Sequence, residues 1–402
     1  MDKKPYLKIK ATEQMKQLMT EYYIEAKTCE GTERPICWIT SGGPVEFLIA
    51  MDVIPIYPEN HGALLGASKM AVELAEIAEQ RGFSSDLCSY ARADIGGALT
   101  GKGAIPGGLP KPDFLLCCNN ICGTVVKWYE ELSRIFDVPL FLFDTPFIHQ
   151  RNTEHAREYV RKQCNELILF LEKMTKKEFS EEKFFEVALL SVEAVSLWKE
   201  VLAKAEHSPS PLTCFDAFIH MAPIVTLRGT KKVVDYYKLL LAEMEERIRN
   251  GIGAITEEKF RLVWDNIPIW YAMRSLGNLF AENGACLVAD TYTTAWAVDI
   301  DIDEPLSSMS RAYQNIYLNI SIDLMLERIM DLVRRYRADG LVMHSNRSCK
   351  PYSLGQYDIA REVTSRTGKP VLIIEADMTD SRAYSEAHLR ERILAFIESL
   401  GK

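Results

Sequence analysis

The chain has 402 residues and a formal charge of −9, with 48% hydrophobic and 26% charged residues. That length exceeds what one hydrophobic core holds, so two or three domains are expected. The acidic balance argues against general nucleic-acid binding, which needs clustered Lys and Arg, and no apolar run approaches the roughly 20 residues of a membrane span. The N-terminal MDKKPYLKIKATEQ lacks the apolar core of a signal peptide, so a cytoplasmic protein is expected. In that compartment its ten cysteines are not a disulfide framework. Most should be buried thiols, and a few are candidates for metal or cluster ligands.

In chain order, residues 10–27 read as an amphipathic helix. PICWITS (35–41) reads as a buried strand, PVEFLIAM as a helix and VIPIYP (53–58) as a second strand. SKMAVELAEIAEQRG (68–82) is a helix closed by Gly82. DFLLCC is a strand, TVVKWYEELSRIF (124–136) a helix and PLFLFD (139–144) a further strand. Strands alternating with helices predict a parallel sheet with crossover helices. Between about 153 and 250 the period is helical throughout, interrupted by the prolines of HSPSPLTCFDAF. Alternation returns with strands at 259–265, 284–290, 340–345 and 370–377, and helices near 267–282, 319–338, 352–366 and 384–400. The fold class expected is α/β, with two doubly wound parallel-sheet lobes of flavodoxin- or Rossmann-like type and a helical insert. The boundaries fall at 1–150, 151–255 and 256–402.

In open parallel sheets, ligands bind beyond the carboxyl ends of the strands. Ser41, Gly42 and Gly43 follow the first strand, and Glu59, Asn60 and His61 follow the second. Cys122 lies just beyond DFLLCC and Cys349 just beyond GLVMHS, while Cys88 sits in a turn that opens a helical stretch. Composition alone favours three buried thiols. Context points the other way. All three lie in polar, turn-like surroundings (DLCSY, NNICG, NRSCK), and two lie at predicted strand ends, where the N–H groups of a following helix can stabilise thiolates fit for a soft metal. Three cysteines from separate loops suit an iron–sulfur cluster with one open iron better than a closed four-cysteine zinc site. Cys37, Cys164, Cys214 and Cys286 sit within apolar patterns and read as core. Cys117 and Cys118 should face opposite sides of their strand, and either is open to a ligand or supporting role. The tryptophans read as core. The chain has no GxxxxGK[ST], HExxH or GxSxG, and the glycine-rich GKGAIPGG precedes a strand and reads as a flexible loop.

Five stretches in order, YPENHG, DLCSYAR, CCNNIC…KWYEEL, SPSP…FDAF and HSNRSCKPYSLGQYD, resemble the benzoyl-CoA reductase / 2-hydroxyacyl-CoA dehydratase family from about residue 10 to the C-terminus. The resemblance implies an acyl-CoA substrate, a homologous second subunit and a separate ATP-hydrolysing iron–sulfur activator. It implies a [4Fe–4S] cluster on Cys88, Cys122 and Cys349. It also places Ser41 and Glu59 near the thioester, the hydroxyl toward the carbonyl and the carboxyl in proton transfer. A turn hydroxyl and a cap or salt bridge are the structural alternatives for these two. CCNNIC and NRSCK look like the dehydratase cluster subunit. DTYTTAW (290–296), PYSLGQYD, IIEADMTDSRAYSE and MAPIVTLRGTKKVVDYY look more like benzoyl-CoA reductase, and the reading leans to that dearomatising branch. The alternative is an (R)-2-hydroxyacyl-CoA dehydratase subunit. A double-cubane-cluster reductase, which would recruit Cys117 or Cys118, and a non-catalytic partner subunit stand behind these two.

Overall fold

A computed structural model describes residues 6–150 and 154–401. The first five residues of the N-terminal stretch read for a leader, and the start of the segment drawn from 151, lie outside the described residues.

Eight strands form two parallel four-stranded sheets. The first holds β1 (Ile36–Ile39), β2 (Ile54–Ile56), β3 (Phe114–Cys118) and β4 (Leu140–Phe143) in the order β2-β1-β3-β4. The second holds β5 (Phe260–Asp265), β6 (Ala285–Asp290), β7 (Gly340–Asn346) and β8 (Val371–Ala376) in the order β6-β5-β7-β8. The two lobes therefore share one winding, although no sequence repeat announces it. In register, Trp38 of β1 sits between Ile56 and Leu115, and Val263 of β5 pairs with Leu341. β1, β3 and β6 are buried along their whole length, which is why they read as unbroken apolar runs. Only Phe143 of the edge strand β4 is buried.

In each sheet the winding reverses between its first and third strands. The crevice at that reversal, beyond the carboxyl ends, is the natural ligand position. The turn after β1 and the turn after β3 flank it in the first lobe. VIPIYP yields a strand only to Ile56, because Pro58 opens the helix Pro58–Ala67 from its first turn. A proline is suited there, since it has no N–H to leave unpaired. The helix Pro305–Gln314 was not expected. It is a proline-initiated helix whose apolar stripe of Leu306, Met309, Ala312 and Tyr313 is short and set among serines.

No strand interrupts the described residues from 154 to 249. They hold the helices Glu154–Thr175, Glu181–Ala203, Cys214–His220, Ala222–Thr226 and Lys231–Arg249. Ser180 caps the second of these, accepting from Lys183 N, and Thr213 with Asp216 makes a reciprocal capping box on the third. This segment has no core of its own. Trp198, Val201 and Leu240 pack in one buried cluster with Phe47, Leu116 and Tyr313. A second cluster, including Phe215, Trp264, Phe280 and Phe396, lies against the second sheet. At the junction Arg228, 1% exposed, donates to Glu46 Oε1 (3.0 Å) and to the Tyr313 hydroxyl (2.9 Å). No helix of the described residues is long and apolar enough to cross a membrane.

Candidate active site

Cys88, Cys122 and Cys349 each occupy the N-cap of a helix: Ser89–Thr100, Gly123–Phe136 and Lys350–Ser353. All three thiols are half-buried. Burial pushes Cys88 up to about 12, against the lowering effect of the Ala91 and Tyr90 amides, and a charge on Cys122 pushes it further up. Burial also raises Cys349, as do charges on Cys88 and on Cys122. Burial raises Cys122 against the amides of Val125 and Thr124. The three sulfurs thus lie within one another's field, although they come from both lobes. Two of them are structural counterparts. Asn119-Asn120-Ile121-Cys122 follows β3, and Asn346-Arg347-Ser348-Cys349 ends and follows β7, the matching strand of the second sheet.

Two further observations bear on what such thiols could hold. Among the described residues, no three His, Cys, Asp or Glu side chains are gathered closely enough for a single metal ion. Second, buried polar atoms stand without protein partners beside two of the thiols: both side-chain amide atoms of Asn346, which is fully buried, and Asn120 Oδ1. A buried amide without a partner is costly; of these atoms only Asn346 Nδ2 is a donor, and a donor beside cluster sulfur is one way such a group is satisfied.

The flanking residues lock the lobes together at this point. Ser89 N donates to Ser348 Oγ (3.1 Å), and the Thr379 hydroxyl donates to Ser89 Oγ (2.7 Å). The Ser348 hydroxyl donates to Asp377 Oδ2. Arg92, one helical turn beyond Cys88, donates to Asp380 Oδ2 (3.0 Å) and pairs with Glu79. The residue after one candidate ligand is thereby tied to the residue before another.

Ser41 and Glu59 are brought together on the first lobe. β1 ends where the Cys118 amide donates to Thr40 Oγ1 (2.8 Å), and the turn Ser41-Gly42-Gly43 follows. A Cβ on Gly42 would lie 2.5 Å from Asn120 Oδ1, so only glycine lets this turn meet the one carrying Cys122. Ser41 N donates to Glu59 Oε1 (3.2 Å), and Tyr129 donates its hydroxyl to Oε2 (3.4 Å). Glu59 lies in the first turn of its helix, where a carboxylate is favoured. Burial nevertheless outweighs this and its hydrogen bonds, and pushes it up to about 7. Its charge in turn raises Cys122, which places the carboxyl beside that thiol.

Cys117 and Cys118 do face opposite ways. Cys117 feels Glu59 and Cys122, whereas Cys118 feels Asp144 and Cys164. Cys37, Cys164, Cys214 and Cys286 are buried free thiols. Among the expected core tryptophans, Trp38, Trp128, Trp264 and Trp296 are buried, while Trp270 is only half-buried. Sequence reasoning overlooked Asp94 and Tyr129. The available signal for Asp94 was a carboxylate among the small and apolar residues that follow Arg92 in ARADIGGAL.

Known proteins match this chain over nearly its whole length. The family described as 2-hydroxyglutaryl-CoA dehydratase, D-component, matches residues 40–400. The alpha subunit of (R)-2-hydroxyisocaproyl-CoA dehydratase from Clostridioides difficile is 38% identical, across 95% of this chain and 94% of that one. The alpha subunit of (R)-phenyllactyl-CoA dehydratase from Clostridium sporogenes is 36% identical, across 89% and 87%. A benzoyl-CoA reductase subunit from Thauera aromatica is 32% identical, across 92% and 90%.

Proposed function

The chain belongs to the 2-hydroxyglutaryl-CoA dehydratase, D-component, family, and from that premise we propose that it is the iron–sulfur subunit of a 2-hydroxyacyl-CoA dehydratase. In this reading Cys88, Cys122 and Cys349 hold a [4Fe–4S] cluster, and the acyl-CoA thioester lies beside Ser41 and Glu59. What supports it is that Cys88, Cys122 and Cys349 cap three helices from two lobes, that a charge on Cys122 raises Cys88 and charges on both raise Cys349, and that the half-buried Glu59 raises Cys122. A cluster bound there would supply single electrons and Lewis acidity toward a thioester carbonyl.

The chain's own residues do the rest. Ser41 donates its hydroxyl to the thioester oxygen and orients the acyl chain. Glu59, poised near neutrality by burial, removes the proton next to the departing hydroxyl. The Ser41 amide and Tyr129 hold the carboxyl in place for that task. The hydrogen bonds of Ser89 to Ser348 and Thr379 hold the two lobes together beside the thiols. The alpha-subunit names of the relatives support a second subunit, in this reading a homologous one. Without a GxxxxGK[ST] loop in this chain, ATP hydrolysis falls to a separate iron–sulfur activator.

The C-terminal motifs lean toward the reductase branch, but the higher identities to dehydratase subunits move the reading to dehydration. The match to a reductase subunit keeps dearomatising reduction of an aryl-CoA as the second reading. Stoichiometry separates them. With partner and activator present under anaerobic conditions, a dehydratase forms far more enoyl-CoA than the reductant it consumes. Product in fixed proportion to reductant, from aryl-CoA only, would establish the second reading instead.

A further inference from the structure

The first lobe holds a cavity of about 190 Å³ whose base, wall and rim differ in chemistry. His61 and Asp94, each 2% exposed, form the base. Trp38, Leu109 and Phe136 supply an apolar wall. At the rim stand Lys102, Lys111 and Glu30, all exposed, and the half-buried Lys27. Leu109 and Lys111 precede β3, and Lys27 and Glu30 precede β1, so the rim lies at the amino ends of these strands. The crevice with Ser41 and Cys122 lies at their carboxyl ends, and the cavity is separate from it.

At the base, burial holds His61 down at about 4, so its ring is neutral. Its Nε2 accepts from Ala104 N (3.1 Å), which leaves the ring proton on Nδ1. The loop comes this close because Gly103 has no Cβ, which would stand 2.6 Å from Nε2. Nδ1 is buried and has no hydrogen-bond partner among the described residues, a costly state for an N–H. It lies 4.0 Å from Asp94 Oδ1, too far for a direct bond but close enough for one oxygen atom to touch both. The other carboxyl oxygen, Oδ2, is taken by Trp128 Nε1 (2.9 Å). A hydroxyl suits the gap. It accepts from Nδ1–H and donates to Oδ1 when Asp94 is ionised, and accepts from both when Asp94 is protonated. A carbonyl oxygen would be repelled by the carboxylate, and an ammonium by the Nδ1–H.

The wall and rim narrow the ligand further. Trp38 and Phe136 meet edge to face, with ring centroids 4.9 Å apart, and offer a third flat ring both a face and an edge. An apolar cavity of about 150 Å³ takes a benzene ring, so this one has room for a single ring and a short tail. At the rim, Glu30 is engaged by Lys27 Nζ (3.4 Å) and by Lys111 N (3.2 Å), and Lys102 by Glu73 (2.8 Å). The Lys111 ammonium is left without an ion-pair partner among the described residues and faces a ligand's outer end as a cation. We propose that this cavity binds a phenolic carboxylic acid of one ring and a short acid tail, with its hydroxyl between His61 Nδ1 and Asp94 Oδ1, its ring against Trp38 and its carboxylate at Lys111. The site is independent of the roles given to Cys88, Cys122, Cys349 and Glu59.

Calorimetric titration of the purified full-length chain with 3-(4-hydroxyphenyl)propanoate should give saturable binding at one site. 3-Phenylpropanoate leaves the base unpaired and should bind at least about tenfold more weakly. 4-Ethylphenol lacks the carboxylate and should bind about 2–5-fold more weakly at low salt, a gap that closes as salt is added. Lys111→Ala should close the same gap while leaving the affinity for 4-ethylphenol as it was. Ala98→Leu fills the cavity that Ala98 lines and should abolish binding of all three, with its fold checked by thermal unfolding. Lys111→Ala changes only an exposed side chain and reports on the site even if Ala98→Leu fails to fold. No saturable heat up to about 10 mM ligand means that the cavity holds water alone, and overturns the proposal. Equal affinity for 3-phenylpropanoate, a gap that survives Lys111→Ala, or undiminished binding by folded Ala98→Leu overturns it as well.

Discussion

Replacing Glu59 by Gln should make the metal-free chain more stable, and only above acidic pH. Burial raises this carboxyl from 4.5 to about 7. The folded state therefore holds the proton more tightly than the unfolded chain. Below about pH 4.5 both states are protonated and the site carries no penalty. As pH rises toward 7 the unfolded chain ionises first, and folding loses about 1.4 kcal/mol per pH unit. Across the 2.5 units between 4.5 and about 7 the loss reaches about 3.4 kcal/mol, which residual exposure of the side chain trims to about 2–3 kcal/mol. Gln removes that loss. Its Oε1 accepts from the Ser41 amide as before, and the Tyr129 hydroxyl turns from donor to acceptor. Guanidinium unfolding of parent and variant at a series of pH values measures the difference. The curves should coincide near pH 4, separate up to neutrality and run parallel above it. A difference that is absent, or equally large at pH 4, would refute burial as the cause.

Cys349→Ser should leave the purified chain unable to retain iron and sulfide and end turnover, with Cys88→Ser and Cys122→Ser matching it. Cys164→Ser should keep the iron content and cost only packing stability, about 1–2 kcal/mol, read as a lower unfolding midpoint. Arg228→Met strands the buried Glu46 carboxyl and should cost about 3–5 kcal/mol, part of which the double variant with Glu46→Gln recovers. Gly96→Ala places a methyl 1.9 Å from the Leu74 carbonyl oxygen, prising the Ser89–Thr100 helix off its neighbour. It should lower thermal stability and, by shifting the helix that Cys88 caps, reduce iron retention.

The parallel sheets were legible because buried strands must be apolar on both faces, and ICWI, FLLCC and ACLVAD show little else. The positions of Cys122 and Cys349 followed from the same logic, each set just past such a run. Helix starts were less legible. Pro58 looked like the end of a strand, because proline suits both an extended end and a first helical turn. The helical residues 154–249 were readable as helices, but their sharing of one core with the first sheet was not. That depends on Arg228, Glu46 and Tyr313, which are distant in sequence and mark a buried network only in three dimensions. The same holds for Asp94, whose place beside both Trp128 and His61 no spacing rule reveals.

The shared winding of the lobes explains why the candidate site is built as it is. A single parallel sheet offers one crevice at its reversal, and the turn after its third strand is one wall of that crevice. With two such sheets, the N-x-x-C turns after β3 and β7 supply one thiol each from equivalent places. Cys88 breaks the equivalence. It comes from the first lobe, but its neighbour Ser89 is bonded to Ser348 and Thr379 of the second. Three thiols can therefore share a field only while the lobes stay closed, and the closing bonds lie directly beside two of them. Ring and hydroxyl groups complete the junction on the same side: Tyr90, Trp270 and Tyr292 pack across it. The geometry makes the site a product of lobe closure rather than of either sheet alone. Residues that a sequence reader would assign to fold stability, such as Arg92 and Asp380, accordingly tie the helix that Cys88 caps to the second lobe.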